Sequence, residues 1–115
     1  MSKIETRFLV PLHEDISYGG ALNPHNRWQN LERDLFRLFS GWTLSSGLYL
    51  GEYPDPDTGR PIRDKSKQYI IALEEERIPE LREYLKKVAV IFGQKVIYFF
   101  NGREVEFVES AERTL

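Results

Sequence analysis

Apolar and polar residues alternate in the first stretch, KIETRFLVPL: Ile4, Thr6, Phe8, Val10 and Leu12 face one way, Glu5, Arg7 and Leu9 the other. Successive strand side chains point to opposite faces, so this period of two predicts a β-strand ending near Pro11. Residues 13–26 show no period and carry Gly-Gly and Asn-Pro steps, which predicts a loop. The period then lengthens. Trp28, Leu31, Leu35, Leu38 and Phe39 fall on one helical stripe, with Asn26 and Gln29 at capping-box spacing and Gly41 placed to end the helix. Alternation returns from Thr43 to Tyr53, setting Leu44, Leu48 and Leu50 against Tyr49, Gly51 and Tyr53. A polar tongue, expected to be a long hairpin with built-in turns, leads to a third strand, KQYIIAL.

Pro79 opens a second helix whose stripe is Ile78, Leu81, Leu85, Val88 and Phe92, and Gly93 ends it. KVIYFF predicts a fourth strand. Asn101-Gly102 between apolar runs is a hairpin signal and makes EVEFV a fifth; the tail ESAERTL is expected to fray. The order β-α-β-β-α-β-β predicts an α+β fold over residues 1–115 as a single domain. Its first six elements match the ferredoxin-like βαββαβ split, an antiparallel sheet with two helices on one face, with an additional C-terminal β-hairpin strand. The other face then lacks an internal cover. Leu9, Tyr49, Tyr53 and one set from the fourth strand (Ile97 and Phe99, or Tyr98 and Phe100) belong there, and such a face predicts a homo-oligomer, a homodimer paired through its sheet.

Composition narrows the function. The 115-residue chain has no cysteine, which excludes disulfides, thiolate metal sites and a cysteine nucleophile. Sixteen Lys and Arg against 18 Asp and Glu leave a net charge of −2, too balanced to predict nucleic-acid or anionic-membrane binding. KQYIIAL also lacks the basic and Gly-aromatic pattern by which RNA-recognition domains stack bases. MSKIETRFLV is charged where an export signal is apolar, and no apolar run is long enough to span a membrane, so a cytoplasmic protein is expected.

Candidate chemistry is sparse. His13 and His25 share the first loop with Glu14 and Asp15, but lack the i, i+4 spacing by which a helix would fix two ligands; no metal and no cofactor is expected. In the tongue, Asp55 and Asp57 lack the further ligands of a calcium loop, and PDPDTG is better explained as successive turns. Arg60 and Arg63, beside Asp64 and Ser66, present forked donors suited to a carboxylate or phosphate, or simply an Arg–Asp pair in a solvated loop. No phosphate loop, nucleophile elbow or HExxH helix is present, so no catalytic residue is assigned.

Gly47, Tyr49 and Gly51, the Asp64-x-Ser66-Lys67 step, and the helix end Phe92-Gly93-Gln94 together resemble a small bacterial family known as a domain of unknown function. The resemblance covers roughly half the chain. It implies fixed places for Asp64, Ser66 and Gln94, whose amide is positioned to satisfy carbonyls of the tongue, but no activity. The expectation is therefore a small binding or interaction module for a small-molecule or protein partner. Its groove lies between the tongue (Arg60, Arg63, Asp64) and the first loop (His13, Tyr18, His25), with Gln94 nearby. The alternative is a small-molecule enzyme with a histidine general base and Arg63 as anion anchor.

Overall fold

The computed structural model describes residues 2–113. The strands are β1 (Ile4–Pro11), β2 (Thr43–Leu44), β3 (Tyr49–Pro54), β4 (Pro61–Leu73), β5 (Val96–Phe100) and β6 (Val105–Glu109); the helices are α1 (His25–Phe39) and α2 (Ile78–Ile91). The strands form one sheet ordered β2–β4–β1–β5–β6, with β3 also pairing β4. Every pairing is antiparallel. The expected α+β chain with an antiparallel sheet is thus present.

Periodicity places the core. Phe8 and Val10 of β1, Tyr69 and Ile71 of β4, and Ile97 and Phe99 of β5 are buried together with Trp28, Leu31 and Leu35 of α1 and Leu81, Leu85 and Val88 of α2. Each such side chain contributes about 1.5–3 kcal/mol by leaving water. Tyr69 stacks on Phe8 at 5.5 Å between ring centres, and Trp28 meets Phe92 at 4.7 Å. The Tyr69 hydroxyl, the one polar atom of that side chain, donates to Glu32 Oε2 at 2.8 Å. Because Ile97 and Phe99 point at the helices, Tyr98 and Phe100 are the β5 set on the open face. There Tyr98 meets Phe107 edge to face, and Phe107 remains 60% exposed.

Several boundaries differ from expectation. Helix α1 begins at His25, with Pro24 as its N-cap, so Asn26 does not cap it and His25 is helical rather than in the loop. The chain is fixed there by Asn23, whose buried amide donates to Pro11 O and Phe92 O. At the other end Ser40, not Gly41, takes the left-handed conformation (φ 67°). The expected second strand is interrupted at Gly47 (φ 78°), a backbone geometry that glycine adopts without strain, so it divides into β2 and β3. The tongue is the expected long hairpin, but the strand of its return arm starts at Pro61 rather than Lys67: Glu52 pairs with Arg63 and Gly51 with Asp64 across the β3–β4 ladder. The tail does not fray through residue 113. Ala111–Arg113 form a 3₁₀ turn and Arg113 grips Asp57 with both guanidinium nitrogens at 2.6 and 3.1 Å. Thr114 and Leu115, the end of that expected tail, lie outside the described residues.

Candidate functional site

The first loop folds back over the end of β1 and across the base of the β3–β4 hairpin. Its backbone is tied down at both ends. Asn23 N–H donates to Leu12 O at 2.8 Å, and Asp15 N–H donates to Gly93 O at 2.8 Å. Gly93 is required for that approach: it has φ 65°, and a Cβ there would lie 2.6 Å from Glu14 Cγ. Between the loop and the hairpin lies a cavity of about 810 Å³, within the range of small-molecule sites. His13, Asp15 and Ile16 form one wall; Gly51, Ile62 and Asp64 form the other. A smaller cavity of about 280 Å³ shares Pro11, Gly51, Glu52 and Asp64 with the first and continues across the open sheet face to Tyr98 and Phe107.

The cavity is acidic. Asp15 is only 7% exposed; its Oδ2 accepts from the Lys95 backbone N–H at 2.7 Å. Burial pushes the Asp15 carboxyl above its ordinary 3.8, against the opposing pull of that hydrogen bond and the Lys95 charge. Asp64 accepts from the Ser66 hydroxyl at 3.4 Å and from Tyr53. Burial raises its pKa too; its hydrogen bond from Ser66 lowers it, and the negative charge of Asp15 adds to the rise. The Tyr53 hydroxyl is pushed up by burial, then by the Asp15 and Asp64 charges. Among the described residues neither Asp15 nor Asp64 forms an ion pair within 4 Å. Two carboxylates that burial disfavours, with Lys95 and Arg113 offsetting it only in part at Asp15, make a place where a cationic ligand gains.

The expected site residues divide. His13, Arg63 and Asp64 line the cavity; Tyr18, His25, Arg60 and Gln94 do not. Arg63 faces Glu52 at 3.6 Å and is largely solvated, so it offers no isolated positive charge for an anion. Arg60 lies at the hairpin tip, where its carbonyl accepts from Asp55 N–H. Tyr18 is 43% exposed and hydrogen bonds with Arg113. Gln94 is 1% exposed and donates to His13 O at 2.8 Å, so its amide serves the first loop rather than the tongue. Among the described residues no group of three or more His, Cys, Asp or Glu is arranged to hold a metal, and no helix is long and apolar enough to cross a membrane.

No family model matches the chain, and no curated protein matches it. Solved structures do. A phage SAM lyase in complex with S-methyl-5'-thioadenosine superposes with a TM-score of 0.67 over 95% of this chain and 91% of that one, at 14% identity. A phage SAM lyase in its apo state gives 0.65 over 96% and 91%, at 16% identity. The fold is shared with a phage SAM lyase. At that identity the likeness concerns the path of the backbone, and the chemistry of the cavity has to be argued from its own side chains.

Sequence reasoning missed Tyr53 and Lys95 as site residues and treated Asp15 only as a possible metal ligand. Tyr53 was placed correctly on the open face, but its hydroxyl's partner depends on the β3–β4 register. A weak signal existed for Lys95: a lone lysine opening an otherwise apolar strand, KVIYFF, has to find an anion or reach water.

Proposed function

We propose that this chain is a small-molecule-binding protein, built on the ferredoxin-like frame, whose cavity receives S-adenosylmethionine or a similar adenosyl sulfonium. The observation that carries the reading is the pair Asp15 and Asp64, both shifted upward by burial and, among the described residues, both without a cationic partner within 4 Å. S-adenosylmethionine has two positive centres, the sulfonium and the α-ammonium, for those two carboxylates. Its bulk suits a cavity of about 810 Å³. Gly51 keeps the approach open, because a side chain there would begin 3.6 Å from Asp64 Oδ1 and cover it. The shared fold with an enzyme solved with S-methyl-5'-thioadenosine supports the ligand class.

A second reading, cleavage of the ligand, is favoured by that neighbour being a SAM lyase and by the extent of the likeness, 95% of this chain. The carboxylates argue first for binding. They stabilise the sulfonium before its C–S bond breaks more than after, when sulfur has become a neutral thioether, and stabilising the ground state does not speed the step. Open-face residues Tyr98 and Phe107 and edge strand β6 support the further proposal of a homo-oligomer, which light scattering at micromolar concentration tests: a mass of one chain at every concentration removes it.

Isothermal calorimetry with S-adenosylmethionine tests the binding reading. The wild type is expected to bind, and Asp64→Asn is expected to weaken binding at least about tenfold, or 1.4 kcal/mol. Equal binding by Asp64→Asn, or none by the wild type, rejects the site. Chromatography of the same mixture for S-methyl-5'-thioadenosine decides between binding alone and cleavage.

A further inference from the structure

Lys95 lies in the short link between α2 and β5 and is only 5% exposed. It touches Asp15 in the first-loop wall of the cavity and the tip of the hairpin that carries the other wall. Its backbone N–H holds the Asp15 carboxylate of the first loop at 2.7 Å. Its ammonium reaches the other way, to the tip of the hairpin, and meets Asp55 Oδ1 and Oδ2 at 3.0 and 2.9 Å and Asp57 Oδ2 at 3.0 Å. Arg113 closes the arrangement by gripping Asp57 at 2.6 Å, and Ser110 N–H bonds the Lys95 carbonyl at 2.9 Å. The hairpin loop between Pro54 and Pro61 is otherwise held by its own turns, Asp55 Oδ1 accepting from Asp57 N–H and Thr58 N–H. Among the described residues, Lys95 and Arg113 are what tie the tip's side chains to the body of the protein.

We propose that Lys95 is a positioning residue: by bonding Asp15 through its main chain and the hairpin tip through its side chain, it fixes the spacing of the two carboxylate-bearing walls and so the fit of the cationic ligand. This rests on the proposed function for its ligand but not for its geometry. The clasp is a strut and not a pH switch. The paired anions raise Lys95 above its ordinary 10.5 and the cations hold Asp55 and Asp57 below theirs, so all three stay charged across the neutral range. The charged groups facing Asp15 are Lys95 from the link, Asp55 and Asp64 from the hairpin, Arg113 from the C-terminal turn, and Tyr53 from β3 as the neutral phenol. Lys95 and Arg113 favour the Asp15 carboxylate; Asp55 and Asp64 oppose it.

Two variants release the tip while changing the charge near Asp15 in opposite directions. Lys95→Met removes a cation; Asp55→Asn with Asp57→Asn removes anions and keeps the lysine. The ligand-free titration of Asp15, followed by carboxyl NMR, is expected to move to higher pH in Lys95→Met and to lower pH in the double variant. Calorimetry is expected to show S-adenosylmethionine binding weakened at least about tenfold in both, with Lys95→Arg recovering most of it. Wild-type binding in both variants, or Asp15 midpoints that stay put or move the same way, overturns the proposal. A wild type that binds no S-adenosylmethionine rejects the proposed ligand instead; the opposite NMR shifts, with faster hydrogen exchange of the tip amides of Asp55 and Gly59 in both variants, then still support the clasp, and their absence still overturns it. If Lys95→Met fails to fold, the double variant alone decides by its downward shift and tip exchange.

Discussion

Replacing Gly93 by alanine probes how the first loop is seated. Gly93 has φ 65°, and an L-residue there costs about 1–2 kcal/mol in backbone strain. The new Cβ would also lie 2.6 Å from Glu14 Cγ and 2.8 Å from Glu14 Cβ, so Glu14 has to move. Moving it strains the Glu14–Arg27 pair, now 2.8 Å and partly shielded, a contribution of about 0.5–1 kcal/mol. The adjacent bond from Asp15 N–H to Gly93 O, 2.8 Å, is worth about 1 kcal/mol if the loop lifts. The sum is about 3 kcal/mol, to be read as the change in unfolding free energy from urea titrations at constant slope. Gly93→Asn separates the causes, because asparagine tolerates the left-handed region better than alanine but carries the same Cβ. If contact with Glu14 dominates, Asn and Ala lose similar stability; if backbone strain dominates, Asn is milder. A Gly93→Ala protein within about 0.5 kcal/mol of wild type would refute the reasoning, since that is the range of changes at featureless surface positions.

Three further outcomes follow from the same structure. Leu85→Ala, at a site with 0% exposure, is expected to cost about 2–5 kcal/mol in urea unfolding, whereas Phe107→Ala, 60% exposed, should stay within about 0.5 kcal/mol when measured at concentrations where the protein is a single chain. Asp64 titrates above 3.8 when folded, so the native state holds its proton longer than the unfolded chain and this residue's contribution to stability falls as pH rises through the window just above 3.8; in Asp64→Asn the slope of stability against pH there should become more positive, by urea midpoints. Glu106 has the opposite sign: Arg82 at 2.6 and 2.7 Å holds it below 4.5, so its stabilisation is present above that pH and lost on acidification, and Glu106→Gln should flatten the acid limb of the same curve.

The layered scaffold was readable because burial writes a period into the chain. Phe8, Leu35 and Leu85 lie on the predicted faces and are buried, whereas the period of KVIYFF left open which of its two sets faces the helices. The tongue was not readable as strand, because β4 at Ile62–Lys65 is paired only with β3 and alternates without a buried side. Ladder hydrogen bonds hold that part of the hairpin, and they leave no mark on side-chain polarity. The site was partly legible. His13, Arg63 and Asp64 line one cavity, but Arg63, the anion anchor of the alternative reading, stands beside Glu52 in an acidic surrounding. The reason is tertiary. Asp15 and Lys95 are joined across |i−j|=80, and Lys95 and Asp55 across 40, so no local spacing announces either contact.

In the proposed function, an acidic cavity selects positive charge on an adenosyl ligand. Titrating S-adenosylmethionine and the neutral S-methyl-5'-thioadenosine into isotope-labelled protein at neutral pH measures this directly. The account predicts chemical-shift changes centred on Asp15, Gly51, Tyr53 and Asp64, with the sulfonium saturating at least about tenfold earlier than the thioether. Equal affinities for the two, or shifts confined to residues away from that cavity, would contradict it.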